Sequence, residues 1–413
     1  MTEPLAVREH NVIRNRGLVG VLAREIVSLT GSQMTWVALP WFVLTTTGSP
    51  TRMTIVLAVE AVAVAIGGLG GSLATRIGAR RTMLIADGLR APLMAAIPVL
   101  HVADALTFPV LLALVFAVGL FATPSYASKT ALLPDLVGED EIALGKANAL
   151  LQTASRLTSI LGPPLAGVLI GVFGATEVLL IDAATFVVGF ALVAVLVPSA
   201  PGHEEVEGQG RGIRAVLRFV ARDPLLRPWT AAFVIGDVAW LALFAATPVL
   251  VVDRFGEEPE IVGWIFAGFG IGAVVGNVVA FRILGAVDRL LLASVGEIGM
   301  AVPLWLFVLH VPPAVLVAAM AAAGFANGLV NAPLHAILQL RTPRHLRTGF
   351  YALAITATMV LGPIALVGTG PALEYVGVDP TLAVIIGVDT LAVIAFAAAG
   401  LRFRASKQVL VPA

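Results

Sequence analysis

The chain has 413 residues, of which 58% are hydrophobic and only 13% are charged, with a formal net charge of zero. Its mean hydropathy is +0.96. A soluble protein of this length needs a far more polar surface, so these values exclude that class and indicate an integral membrane protein. The sequence contains no cysteine, which excludes disulfides and thiol nucleophiles.

Apolar runs recur along the whole chain, and each is long enough to cross a hydrocarbon core of about 30 Å as a helix. A membrane barrel would instead show short segments of alternating polarity. We therefore predict an all-α integral membrane protein with about twelve transmembrane helices. The predicted spans are 18–46, 53–74, 82–101, 107–130, 147–171, 176–198, 228–252, 261–281, 289–310, 313–339, 348–370 and 377–401.

The basic residues outside these spans are distributed very unevenly. Alternate segments, beginning with the N-terminal one, hold nearly all of them, whereas the intervening loops hold only Arg52 and Arg254. Positively charged segments stay on the cytoplasmic side. We therefore predict a multi-pass protein of the cell inner (cytoplasmic) membrane with both termini in the cytoplasm.

The longest polar break, 199–227, separates two predicted six-helix halves, 1–198 and 228–413. Between positions 213 and 222, apolar residues fall on one helical face and arginines on another. The break is thus predicted to be a cytoplasmic linker with an amphipathic helix. That helix either lies on the anionic inner leaflet or is solvated.

The two halves are related in sequence. Three positions of the first half recur in the second at one constant offset, and a short motif recurs in the same order: Gly119, Pro124 and Pro134 correspond to Gly328, Pro333 and Pro343, and Leu161-Gly162-Pro163 corresponds to Leu361-Gly362-Pro363. A parallel repeat of this kind is one of the architectures of secondary transporters.

A loop rich in glycine and arginine, Gly71-Ser72-Leu73-Ala74-Thr75-Arg76-Ile77-Gly78-Ala79-Arg80-Arg81, joins the second and third predicted spans. It resembles the signature that the major facilitator superfamily carries at this place. Val37-Ala38-Leu39-Pro40-Trp41, Leu133-Pro134-Asp135-Leu136 and Gly162-Pro163-Pro164-Leu165-Ala166-Gly167 resemble, within that superfamily, the branch of drug, macrolide and siderophore exporters driven by proton antiport. The resemblance covers nearly the whole chain.

The resemblance implies that this loop is a gating loop. Asp87 and Arg90 lie three residues apart beside it, near the inner end of the third span, and we expect them to pair with each other or with Arg24 and Glu25 as a brace or gate. The family residues of the loop correspond here to Gly71, Thr75, Arg76, Gly78, Arg80 and Arg81. Where the family has an aspartate, this chain has Thr75. A threonine can cap a helix through its hydroxyl group, but it provides no charge for the arginines to pair with.

In the family, the first, second, fourth and fifth spans and their C-terminal counterparts line the cavity. Carboxylates on such spans can exchange protons, so Asp237 and Glu60 are the proton-coupling candidates. The alternative is that each belongs to a structural pair or reaches out to the membrane surface. Acidic residues on the outer scaffold spans are interpreted as structural: Asp182, Glu297 and Asp389.

Several polar and aromatic residues on the cavity-lining spans are candidates for substrate contact: Gln33, Trp36, Arg156, Asn327, Asn331 and His335. An amide and an indole ring suit a bulky amphiphile. The last three candidates recur every fourth residue and form one polar stripe. The alternative for all of them is hydrogen bonding between helices, and for Arg156 a role in holding the inner helix ends together.

Two glycine-proline pairs, Gly162-Pro163 and Gly362-Pro363, lie inside predicted spans. Proline removes a backbone donor and bends a helix, so we expect a bend at each pair. In the family, the pair in the fifth span marks exporters more than importers.

The leading hypothesis is a secondary active transporter that exports drug-like or natural-product amphiphiles by proton-coupled alternating access. Its partners would be a small-molecule substrate, protons and the lipid bilayer; we expect a monomer, no nucleic acid, no cofactor and no metal site. One alternative is an importer or facilitator of a small solute. A membrane-embedded enzyme is the weaker alternative, because His203-Glu204 lacks the second histidine of a zinc-protease motif and the chain has no phosphate-binding loop.

Overall fold

A computed structural model describes residues 15–69, 77–138, 140–198, 213–283, 285–343 and 346–406. All regular structure within these ranges is helical, which confirms the predicted all-α class. The helices are α1 (Arg16–Thr47), α2 (Pro50–Leu69), α3 (Ala79–Val102), α4 (Phe108–Leu120), α5 (Ala122–Ala131), α6 (Leu133–Val137), α7 (Glu141–Phe173), α8 (Ala175–Leu196), α9 (Ile213–Arg222), α10 (Leu226–Phe255), α11 (Pro259–Ile283), α12 (Arg289–Ala301), α13 (Pro313–Arg341), α14 (Arg347–Pro371) and α15 (Val378–Ala405). A 3₁₀ segment, Val302–Phe307, extends α12, and a π-helical segment, Ala372–Val376, extends α14.

Within the described ranges, 11 segments are long and apolar enough to cross a membrane. They coincide with the second to twelfth predicted spans, and one of them, Phe108–Val137, runs through α4, α5 and α6. Helix α1 covers the first predicted span but is not one of the 11, because its middle is more polar and carries Gln33 among several serines and threonines.

The chain divides into two compact units. Unit 1 takes its described residues from Met1–Thr35, Ala63–Gly162 and Leu179–Val206. Unit 2 takes them from Trp36–Val62, Pro163–Val178 and Glu207–Ala413. Four helices, α1, α2, α7 and α8, contribute residues to both units.

The core of unit 1 is apolar at one end. Leu18 and Val21 of α1 pack with Met83 of α3, Leu133 of α6 and Val193 of α8, and all five side chains are buried. These five side chains are packed as closely as in the interior of other proteins, so this part of the unit is held together by apolar contacts.

In unit 2, α11 and α13 lie very close together because glycines face each other at their crossing. A methyl group at Gly272 would overlap the carbonyl oxygen of Ala321, and one at Gly276 would overlap that of Phe325. Gly324 of α13 approaches Phe269 in the same way. Small residues at this spacing permit the close backbone approach typical of membrane helices.

The amphipathic helix expected in the linker is α9. Val216 and Val220 are buried, and they pack against Phe350 of α14. The apolar face of α9 is therefore covered by protein within unit 2, although Leu217 beside it stays 49% exposed. Residues 199–212 lie outside the described ranges.

Both glycine-proline pairs lie inside uninterrupted helices, Gly162-Pro163 in α7 and Gly362-Pro363 in α14. Each glycine allows a close neighbour. A methyl group at Gly162 would overlap Cβ of Gln33, and one at Gly362 would lie 2.8 Å from Cδ2 of Leu241. The bends predicted at these pairs stay predictions.

Candidate functional site

Unit 2 contains a cavity of about 200 Å³ between α10, α12, α13 and α15, with Phe269 of α11 in its wall. Three acidic side chains from three different helices line it: Asp237 from α10, Glu297 from α12 and Asp389 from α15. None of the described residues that line it is a lysine, arginine or histidine. The ionisable groups in this lining are therefore all acidic.

Asp389 is the most buried of the three acids, with 2% of its surface exposed. Among the described residues, neither of its carboxyl oxygens has a hydrogen-bond partner. Gly236 leaves room beside it, because a methyl group there would lie 3.5 Å from Oδ1. Glu297 is close enough to repel Asp389 electrostatically.

Asp237 is more accessible, and the side chain of Thr358 on α14 hydrogen-bonds to it. The three acids do not converge on one point. No group of three or more His, Asp or Glu side chains in the described ranges is arranged to hold a metal ion.

Aromatic rings also line the cavity. The Trp240 ring lies 5.2 Å from that of Phe269 and 5.5 Å from that of Phe244, measured between centroids. Trp36 of α1, a predicted substrate contact, joins this group through Phe244, at 5.3 Å and edge-on. Offset and edge-on rings expose both faces and edges to a ligand.

Part of the polar stripe of α13 lines this cavity. Asn327 and Asn331 line it, and the amide of Asn331 donates to Oδ1 of Asn327 at 3.0 Å. His335, one turn further along, is exposed and is not a lining residue. Two of the three predicted residues of the stripe therefore face the acidic cavity.

Glu60, the second coupling candidate, is half-buried on α2 and does not line this cavity. Two residues earlier on the same helix, Ala58 packs against Ala245 of α10 and Leu366 of α14 within unit 2. The structure therefore places Glu60 and Asp237 on helices of the same unit without bringing both into one cavity.

The remaining predicted contacts lie in unit 1. The amide of Gln33 donates to Oγ of Ser159 on α7 at 2.5 Å, an interhelical hydrogen bond of the kind that holds membrane helices together. Arg156, three residues before that serine, is exposed.

Unit 1 also holds a buried network of charged side chains. Arg24 donates to both carboxyl oxygens of Asp87, at 2.9 and 2.5 Å, and to Oγ of Ser125 at 2.6 Å. Lys129 pairs with Glu25, whose other oxygen lies 3.5 Å from Arg24. Every charge in this network faces an opposite one.

The loop predicted to act as a gate is described only in part, since Gly71, Thr75 and Arg76 lie outside the described ranges. Gly78 adopts a positive φ of 89° just before α3, a conformation that favours glycine. Arg80 donates to the carbonyl oxygens of Val197 and Ala194, at 2.7 and 2.9 Å, near the end of α8. Arg81 beside it is exposed.

The Arg90 guanidinium group stacks over the ring of Phe186 at 4.0 Å, and its expected role beside the loop stays a prediction. It is also close enough to interact electrostatically with Asp182. Asp182 is fully buried and accepts a hydrogen bond of 2.6 Å from Thr35. This arrangement agrees with the structural role that the sequence indicated for Asp182.

The all-helical fold, its membrane-spanning segments and the acidic cavity can be compared with known proteins. The sequence pattern of the Major Facilitator Superfamily matches residues 25–366. The chain belongs to this superfamily. The family consists of membrane transporters, and the multi-pass architecture described above agrees with it.

Curated relatives include the multidrug efflux pump Tap of Mycolicibacterium fortuitum, 26% identical over 378 residues that cover 88% of this chain and 91% of the relative. The pump of the same name in Mycobacterium tuberculosis (strain ATCC 25618 / H37Rv) is 23% identical, with coverages of 87% and 88%.

Solved structures share the fold at low identity. A bacterial homologue of the human lysosomal transporter Spinster, in an inward-facing and unoccupied conformation, has a TM-score of 0.73 at 10% identity and covers 97% of this chain and 99% of its own. The nucleoside transporter NupG has a TM-score of 0.72 at 13% identity, with coverages of 92% and 98%.

Sequence reasoning missed the grouping of Glu297 and Asp389 with Asp237. The signal was available, because an ionisable residue inside a membrane span indicates a functional site unless a partner is evident. Assigning the ninth and twelfth spans to an outer scaffold concealed it. Only the packing of α12 and α15 against α10 shows that the three side chains share a cavity.

Proposed function

We propose that this transporter exports amphiphilic drug-like or natural-product molecules across the cell inner membrane by proton-coupled alternating access. In this proposal it acts as a monomer with both termini in the cytoplasm. Its halves, 1–198 and 228–413, move about the linker 199–227.

The observation that carries the proposal is the cavity of unit 2, which combines acidic groups with aromatic walls. An amphiphile needs an apolar surface for its rings and a few polar groups to orient it, and this cavity offers both. The relatives named multidrug efflux pumps favour export over import.

Asp237 and Glu60 are the residues that we propose to exchange the coupling proton. Both sit on membrane-spanning helices, where a carboxylate is costly to keep charged and therefore responds to access from either side. Asp237 lines the cavity, so occupation by a substrate would change its surroundings directly.

Uptake of a panel of dyes and macrolides into everted membrane vesicles tests this proposal. With the wild-type chain, a proton gradient should drive accumulation, and an uncoupler should abolish it. Asp237→Asn and Glu60→Gln should each reduce gradient-driven uptake about tenfold or more, because neither side chain could then carry a proton. Membrane levels of each variant are measured in parallel.

Glu177→Gln is the matched control, since it removes one carboxylate from the exposed start of α8 and should leave uptake unchanged. Wild-type uptake in both test variants would refute carboxylate coupling at these positions. Uptake that follows the substrate gradient alone, with or without the uncoupler, would refute active export and support the facilitator.

A further inference from the structure

We propose that the cavity between α10, α12, α13 and α15 is a binding site for the cationic group of an organic cation, which Asp389 and Glu297 hold by charge and the aromatic wall holds by its rings. The site lies inside unit 2 and is built from residues of the second half of the chain. The proposal rests on the proposed transport function for its physiological meaning, and it names the class of substrate.

The first argument is the state of Asp389. Its carboxylate is almost fully buried, and among the described residues nothing donates to either oxygen. An ionised carboxylate in such a place costs several kcal/mol or more unless a cation compensates it. Among the described residues that line the cavity none is cationic, so the Asp389 carboxyl group stays neutral by taking up a proton or is ionised when a cation enters from outside.

The second argument is the presence of further negative charge. Glu297 faces Asp389 closely enough to repel it, and Asp237 lines the same cavity. Two or three like charges in one low-dielectric space are unfavourable for the empty site. The same arrangement attracts a positively charged ligand and rejects an anionic one.

The third argument concerns the size and chemistry of the occupant. The acids are not arranged to ligate a metal ion, and the cavity of about 200 Å³ has room for a substituted ammonium group and one ring. Phe244, Phe269 and Trp240 provide aromatic surfaces, and such surfaces attract organic cations through their faces. An organic cation therefore fits better than an inorganic one.

Binding to the purified, detergent-solubilised full chain tests the inference without any proton gradient. The probe is benzyltrimethylammonium, followed by saturation-transfer NMR titration, and N,N-dimethylbenzamide is the neutral comparison. We expect the cation to bind about tenfold more tightly than the neutral ring compound, which corresponds to about 1.4 kcal/mol. Equal affinity for the two probes would overturn the proposal.

Asp389→Asn and Glu297→Gln should each weaken binding of the cation about tenfold and leave binding of the neutral probe unchanged. Glu177→Gln is again the matched control. Gly236→Val keeps every charge but fills the space beside Asp389, so it should weaken binding of both probes. It keeps the test valid if a carboxylate variant fails to fold, as judged by gel filtration.

Wild-type affinity for the cation in Asp389→Asn and Glu297→Gln, or in Gly236→Val, would refute the site. The binding measurement and the transport measurement can fail separately. Cation binding can persist in a chain that fails to transport in vesicles, and proton-driven export of a neutral macrolide can persist in a chain that binds no cation.

Discussion

Each unit contains a cluster of ionisable side chains inside its helices, and the two clusters differ in how their charges are compensated. In unit 1, Arg24 and Lys129 are paired with Asp87 and Glu25, and all four side chains are at most 6% exposed. In unit 2, the acids Asp237, Glu297 and Asp389 line a cavity to which the described residues contribute no basic side chain.

The difference separates two uses of buried charge. In a network where every charged side chain has a partner of opposite charge, the charges compensate each other, and the network can hold helices in register. In a cavity lined only by acidic side chains, the negative charges are not compensated until a proton or a ligand enters. A buried charge in this molecule is therefore informative about function only when its partners are known.

The largest expected effect on stability comes from removing one partner from the network of paired charges in unit 1. Arg24→Met would leave Asp87, whose side chain is 0% exposed, without its main partner. We expect a loss of about 3–5 kcal/mol in stability, seen as lower yield and a lower melting temperature of the detergent-solubilised protein. The double variant Arg24→Met/Asp87→Leu should recover part of the loss, because it removes both charges. A double variant as unstable as the single one would contradict this reading of the network.

A substitution at Asp389 in the cavity is expected to change stability less, and in the opposite direction. Asp389→Leu replaces a buried carboxylate that has no partner among the described residues with an apolar side chain. Stability should stay the same or rise by about 1 kcal/mol, because the cost of the buried carboxyl group disappears. Thermal unfolding monitored by the same assay checks this. A loss as large as that of Arg24→Met would show that Asp389 has a structural role and would remove the contrast between the units.

The smallest effect is expected at an exposed ion pair. Arg404 lies 3.4 Å from Asp288, and both side chains are more than 40% exposed. Arg404→Gln should change stability by less than about 1 kcal/mol, since solvent screens such pairs. A melting temperature within error of the wild-type value is the expected result. A loss of several kcal/mol would mean that exposure is a poor guide to the strength of ion pairs in this protein.

The class of fold was predictable because it depends on properties that can be read locally. Hydrophobic length predicted the membrane-spanning segments, and 11 of them recur in the structure at nearly the predicted positions. Helix α1 was predictable as well, although Gln33 and neighbouring polar residues keep it out of the 11 segments that are apolar enough to cross a membrane. The division into halves at 199–227 stays a prediction.

The candidate site was predictable only in part. Asp237, Asn327, Asn331 and Trp36 were identified from polar or aromatic character within spans, and the structure places the first three in the cavity wall and the fourth against Phe244. Gln33 was identified in the same way, yet it bonds to Ser159 in unit 1. Residue type alone does not distinguish these outcomes, because the neighbour of a side chain lies on another helix.

By itself, the sequence determined that this chain is a helical membrane protein, because a membrane requires every spanning segment to satisfy its own backbone and to be apolar over a set length. Only the tertiary structure decided which charges are compensated. Asp87 accepts hydrogen bonds from Arg24, whereas the carboxyl oxygens of Asp389 have no partner within the part of the chain that the structure describes, because of the side chains that neighbouring helices place beside each acid. These neighbours depend on how side chains of several helices pack together, so they cannot be predicted from the hydropathy of a single helix.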